Sequence, residues 1–296
     1  MLEYYLQLLV NGLVVGSIYS LVALGFVIIY KATKVVNFAQ GELLMVGAYV
    51  CYALTVQAQV PFVAAFLLTL GFSVVLGLAV ERLALRPLIG EAHISVIMVT
   101  IGLSSVLKSL VQLFWGTNIQ VFPEVLPNTP VFIAGMPVSP VYIAAFALSF
   151  LLFAGFSLFF KYSRLGIAMR ATAFDQQAAQ SMGIGVKNIF ALSWCIACVV
   201  SCVGGVILGN INGINAQLGY MGLKVFPAVI LGGLDSLLGA AVGGLIIGVL
   251  ENVCDGLAKD VLNLSGFKEV AAFVVLVVIL MIRPYGLFGT HEIERV

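Results

Sequence analysis

Residues 31–50 read KATKVVNFAQGELLMVGAYV. Lys31 and Lys34 mark a polar boundary, Asn37, Gln40 and Glu42 follow within a few residues, and the chain then turns apolar. An Asn before a helix start can cap it while a Gln three residues on reaches back, a variant of the capping box, so Asn37 and Gln40 are expected to open a helix. Glu42 then falls in the first turn, where the helix dipole favours an anion by about 0.3–1 kcal/mol. On insertion scales a charge at the centre of a bilayer costs about 2.5–3.5 kcal/mol, so the dipole alone does not hold it there. Glu42 is therefore expected near an interface or facing protein or water, either as cap and anchor or as a polar element of a pathway.

The rest of the chain explains why a bilayer is the relevant solvent. Only 9% of its 296 residues are charged, 62% are hydrophobic, and the mean hydropathy is +1.15. A water-soluble domain needs about 25% charged residues to cover its surface. Net charge is +1 and the basic residues sit between apolar runs, which leaves no basic face for nucleic acid. The start, MLEYYLQLLVNG, has Glu3 and no basic residue before Lys31, unlike the charged front of a cleaved leader, so the first run reads as a retained span.

Apolar runs suggest crossings near 8–30, 38–57, 62–81, 94–115, 140–160, 189–209, 237–254 and 268–282, the last two short for full spans. A further piece, MGLKVFPAVILGGL at 221–234, reaches only partway and reads as part of a broken helix near 221–236. The expectation is an all-α, polytopic membrane protein with about 8–9 transmembrane helices in a single domain, 1–296. Lys31 and Lys34, Arg82 and Arg86, then Lys161, Arg164, Arg170 and Lys187 fall in alternate connections, while the loop 116–140 has no Lys or Arg. By the positive-inside rule the N-terminus lies outside, the loop 116–140 is outer, and Arg283 and Arg295 put the C-terminus inside. The prolines and alternating apolar residues of the outer loop suit extended structure or a small hairpin.

Glycines come in pairs, Gly204–Gly205, Gly232–Gly233 and Gly243–Gly244, as expected where helix backbones approach in a membrane. All five cysteines lie in apolar surroundings, and the CxxC of Cys195 and Cys198 shares one helix face with Cys202, so they read as small packing residues. His93 and His291 are the only histidines, far apart, with no metal-ligand or enzyme motif beside them.

The inner segment 161–188, KYSRLGIAMRATAFDQQAAQSMGIGVKN, reads as a helix from Ile167 to Met182 that stops at Gly183 and Gly185 in the left-handed conformation. Phe174, Ala178 and Met182 share one stripe of it. Such an element fits another protein's groove, or lies on lipid headgroups.

QQAAQSMG at 176–183 resembles the EAA motif of ATP-binding-cassette importers, the short helix that docks on the ATPase, with Gln177 where the motif often has Glu. The longer RLGIAMRATAFDQQAAQSMGI, together with NFAQGELLMVGAY, AVILGGLDSLLGAAVGGLIIGVLE and RPYGLFG, resembles permeases of the branched-chain amino acid (LIV) type, in the same order, over about residues 8–289. The resemblance implies the shorter permease subunit of such an importer in the bacterial cytoplasmic membrane. It also implies two ATPase subunits, a second homologous permease subunit and an external substrate-binding protein as partners, and no cofactor. Relatives that carry urea or amides, and an ion-coupled carrier acting alone, are the alternatives. No GxxxxGK[ST] phosphate loop occurs, so ATP would be handled by a partner.

By that resemblance Arg170, Phe174, Gln177, Ala178, Ala179, Met182 and Gly183 form the ATPase-coupling surface. A Gln in place of Glu turns any ion pair at 177 into a neutral hydrogen bond. Asn37, Gln40, Glu42, Thr100, Glu251 and Asn252 are the polar residues at membrane depth that could line a pathway, while Lys108 is expected to snorkel outward. Asn212 and Asn215 suit a turn at the outer mouth.

Overall fold

The computed structural model describes residues 2–89, 91–123, 129–133, 136–262, 266–283 and 285–289. His291, Arg295 and the loop residues 124–128 and 134–135 lie outside them. The fold is all-α and polytopic, with helices α1 (Leu2–Thr33), α2 (Gln40–Tyr52), α3 (Phe62–Val80), α4 (His93–Trp115), α5 (Pro140–Tyr162), α6 (Arg164–Phe174), α7 (Gln176–Ser181), α8 (Val186–Asn212), α9 (Met221–Gly232), α10 (Leu237–Leu262) and α11 (Phe267–Ile282). In the 116–140 loop, β1 (Val131–Ile133) pairs antiparallel with β2 (Met136–Val138), the small hairpin its alternation suggests.

Among the described residues six helices are long and apolar enough to cross a membrane, and the segments Ala216–Gly232 and Val270–Ile282 are shorter apolar helices. The short segment ending at Gly232 contains α9, with Pro227 inside it, and stops where Gly233 turns at φ +103°. This is the half-helix of the 221–234 run. The run at 237–254 is longer than its apolar residues suggest, because α10 continues to Leu262 through a polar end where Lys259 pairs with Asp255 at 2.8 Å.

Two compact units divide the chain, one of Met1–Val27, Asn128–Phe153 and Lys224–Val296, the other of Ile28–Pro127 and Ala154–Leu223. In the first, α1 meets α10 through small residues. A methyl group placed on Gly248 would lie 2.3 Å from the Gly16 Cα, and one on Gly244 would lie 2.4 Å from the Ser20 nitrogen. Backbones this close gain dispersion contacts that hydrocarbon cannot supply. The Ser20 hydroxyl donates to Ala241 O at 2.7 Å and the Tyr19 hydroxyl to the buried Glu251 carboxylate at 2.9 Å, fastening the same pair of helices.

In the second unit α8 packs against both α2 and α3. Gly205 of α8 lies against the Leu44 carbonyl, and Cys195, Cys198 and Cys202 are buried on the same helix as packing groups. By contrast α4 leaves Ile94, Met98, Leu113 and Phe114 bare. Such a face is stable only against hydrocarbon or another apolar surface.

Candidate functional site

The opening polar residues gather in the second unit, though not as a capping box. Helix α2 begins at Gln40 with Ala39 as N-cap and no side-chain cap. Asn37 Oδ1 instead accepts from the Ala39 amide at 3.0 Å, and its Nδ2 donates to Gln40 Oε1 at 3.0 Å. Gln40 Nε2 donates in turn to the Ser201 hydroxyl of α8 at 2.6 Å. Gln40 is thus drawn away from the local backbone by a partner on another helix. Asn37, Gln40, Ser201 and Thr100 are all fully buried, and the Thr100 hydroxyl of α4 accepts from the Phe38 amide at 3.3 Å. In a medium without water such groups persist only when bonded to one another.

Two residues on, Glu42 is half-buried. Its surroundings are made by close backbone contact: a methyl on Gly41 would fall 1.8 Å from the Gly219 carbonyl, and one on Gly219 would fall 3.0 Å from Glu42 Oε1. Asn215 orders this approach, its Oδ1 accepting from the Gln217 amide at 3.0 Å to start the 3-10 turn Ala216–Tyr220. Asn37, Gln40, Ser201 and Thr100 are therefore gathered around the start of α2, while Glu42 lies against Gly219. Glu251 and Asn252 belong to the first unit, where Glu251 accepts from Tyr19, and Asn252 donates to Gly248 O at 2.8 Å and accepts from Lys268 at 3.4 Å.

The 161–188 segment is two helices rather than one. At Asp175 the backbone extends to φ −151°, and its carboxylate accepts from the Gln177 and Ala178 amides at 2.8 and 2.9 Å, starting α7. A short acceptor side chain that offers the backbone such bonds favours a new N-cap over a continued helix. Gly183 closes α7 at φ +83°, as its sequence position suggests, whereas Gly185 has φ −73° and instead caps the start of α8. Phe174 is 95% and Met182 83% exposed, and Gln177, Ala178 and Gly183 are exposed beside them. Ala179 is buried underneath. Arg170 is exposed as well, and its guanidinium donates to the Phe160 and Lys161 carbonyls, tying α6 to the end of α5.

A feature the sequence does not disclose lies beside α7. Helix α3 widens into a π turn over Glu81–Leu85, and Glu81, 1% exposed, receives both Arg86 Nε and Nη2 at 3.1 Å. The pair lines a cavity of about 260 Å³ together with Thr33, Gln176, Phe190 and Trp194. The only hint in the sequence is a carboxylate at the end of an apolar run followed five residues later by arginine.

The family described as branched-chain amino acid transport system / permease component matches residues 8–283. The chain is 38% identical to the high-affinity branched-chain amino acid transport system permease protein BraD of Pseudomonas aeruginosa, over 99% of this chain and 98% of that one. It is 32% identical to the protein of the same description, LivH, of Escherichia coli, again over 99% and 98%. A probable LivH of Methanocaldococcus jannaschii is 28% identical over 96% and 92%. Among solved structures, PsaBC from Streptococcus pneumoniae in complex with Fab has the same fold, with a TM-score of 0.53 at 12% identity, covering 96% of this chain and 97% of that one.

Proposed function

The chain belongs to the family of branched-chain amino acid transport permease components, and from that premise we propose that it is one permease subunit of an ATP-driven importer of branched-chain amino acids. It forms the membrane pathway with a second, homologous permease subunit, two ATPase subunits power it, and an external binding protein delivers the cargo. The lack of a phosphate-loop sequence is in keeping with this division of labour. The N-terminus is outside, the 161–188 segment and C-terminus are cytoplasmic, as the Lys and Arg distribution supports.

The observation that carries the reading is the junction of α6 and α7, where Phe174 at the end of α6, Ala178 within α7 and Met182 just after it are all exposed. Exposed apolar side chains on a rigid, capped element are suited to a partner's groove. Arg170, Phe174, Gln177, Ala178, Met182 and Gly183 form the ATPase contact, with Ala179 buried beneath it. Asn37, Gln40, Glu42 and Thr100 border the pathway.

The test is reconstitution. The complex purified from membranes with its ATPase subunits, placed in liposomes and supplied with leucine-loaded binding protein, accumulates leucine only when ATP is present. Uptake driven by an ion gradient without ATPase subunits would refute the proposal.

A further inference from the structure

Helix α4 carries one charge within its apolar span, Lys108, and Thr100, Ser104 and Lys108 recur every fourth residue along a single stripe. That stripe faces α2. At one end Thr100 accepts from the Phe38 amide, and at the other the Trp115 and Tyr49 rings meet at 5.5 Å. The two helices thus run side by side in the same sense. Glu42 and Lys108 each precede their partner in that ring contact by seven residues, about two turns or 10 Å, which brings them to the same level and the same facing sides. Ser104 lies one turn before Lys108 on that stripe.

No direct ion pair joins Glu42 to Lys108 among the described residues. Glu42 is half-buried against Gly219, and Lys108 is exposed. Two opposite charges at membrane depth that face each other without closing are costly, and side chains of this kind mark the path of a polar cargo. A zwitterionic amino acid carries no net charge but must shed water from an ammonium and a carboxylate at once. A carboxylate and an ammonium held at one level meet both ends.

We propose that Glu42 and Lys108, with Ser104 between them, form a two-pronged station for the backbone of a zwitterionic α-amino acid. Glu42 receives the ammonium and Lys108 the carboxylate, and the side chain of the cargo is left to the apolar surroundings. The inference rests on the importer reading above. The two prongs already attract each other, so the station binds weakly and releases readily, as a passage requires.

The experiment uses the whole complex in liposomes, with leucine-loaded binding protein and ATP, in a background lacking the five native cysteines. If that parent complex fails to accumulate leucine, the importer reading falls; the station is judged only on variants of an active parent. Lys108→Cys should lower uptake on the order of tenfold, as expected when a charge-assisted hydrogen bond is lost, while ATP hydrolysis stimulated by the binding protein stays within about twofold. Aminoethyl methanethiosulfonate, which returns an ammonium to position 108, should restore most of the uptake, and the sulfonatoethyl reagent should not. Undiminished uptake by Lys108→Cys, or equal rescue by both reagents, overturns the station and leaves Lys108 as a snorkelling side chain.

Discussion

The Tyr19 hydroxyl donates to the Glu251 carboxylate at 2.9 Å, joining α1 to α10 across 232 residues of sequence. Both residues are buried, and the bond lies beside the close approach of Gly16 and Gly248. Removing the hydroxyl takes one hydrogen-bond donor away from the buried Glu251 carboxyl without changing the shape of the ring. Tyr19→Phe is expected to cost about 1–3 kcal/mol, read as a lower unfolding midpoint in detergent, with leucine uptake per folded complex unchanged. An unaltered midpoint would show that the bond contributes nothing.

The contact between α1 and α10 gives a second expectation. Gly248→Leu requires the Gly16 backbone to retreat and should abolish stable insertion, whereas Gly155→Leu, on α5 with open space around it, should be silent. Membrane-fraction yield and thermal stability of both variants decide it; equal behaviour would mean that the close approach is dispensable.

At the turn that follows α7 the cost is in the backbone alone. Gly183 has φ +83° and open space where a side chain would go, so Gly183→Asn, which tolerates the left-handed region, should keep ATPase association. Gly183→Val should destabilise the turn by about 1–2 kcal/mol and weaken co-purification of the ATPase subunits. Equal co-purification by both would detach this turn from docking.

How far such residues can be read without coordinates differs from place to place. Gly183 is legible because a glycine after a helical run has a backbone reason to be there. Asp175 is hidden inside an apparently continuous helix, although Asp is a strong N-cap, because periodicity masks a local bond. Asn37 and Gln40 are recognisable as polar residues at a helix start, but the capping rule considers only near neighbours, and Gln40 bonds to Ser201, 161 positions away. Glu81 escapes notice because a spacing of five places two side chains on one face only in a π turn, which a 3.6-residue period does not anticipate.

The buried cluster predicts a graded response. Gln40→Leu removes both side-chain bonds of Gln40, the one from Asn37 and the one to Ser201, at 0% exposure and should cost about 1–3 kcal/mol, while Ser201→Ala removes only one bond of the cluster and should cost less. Urea or thermal denaturation of the two variants in detergent gives the ranking; the reverse order would contradict the account of the cluster.

Sidedness is tested with exposed positions. Cysteine at Met182, in the background without native cysteines, should react with a membrane-impermeant thiol reagent only from the cytoplasmic face, and added ATPase subunits should protect it. Cysteine at Asn118, in the loop without Lys or Arg, should react only from outside and gain no protection. Labelling of position 182 in intact cells would invert the topology.

The π turn at Glu81–Leu85 has a consequence for how α3 can move. In an ordinary α-helix residues five apart point about 140° away from each other, so Glu81 and Arg86 can grip with both guanidinium nitrogens only while the backbone stays widened. Fork and bulge thus hold each other in place, like a pawl set in one tooth. Helix α3 cannot screw forward by a single residue, nor can the bulge migrate along it, until that grip opens; its rotational phase is locked at the end nearest Gln176.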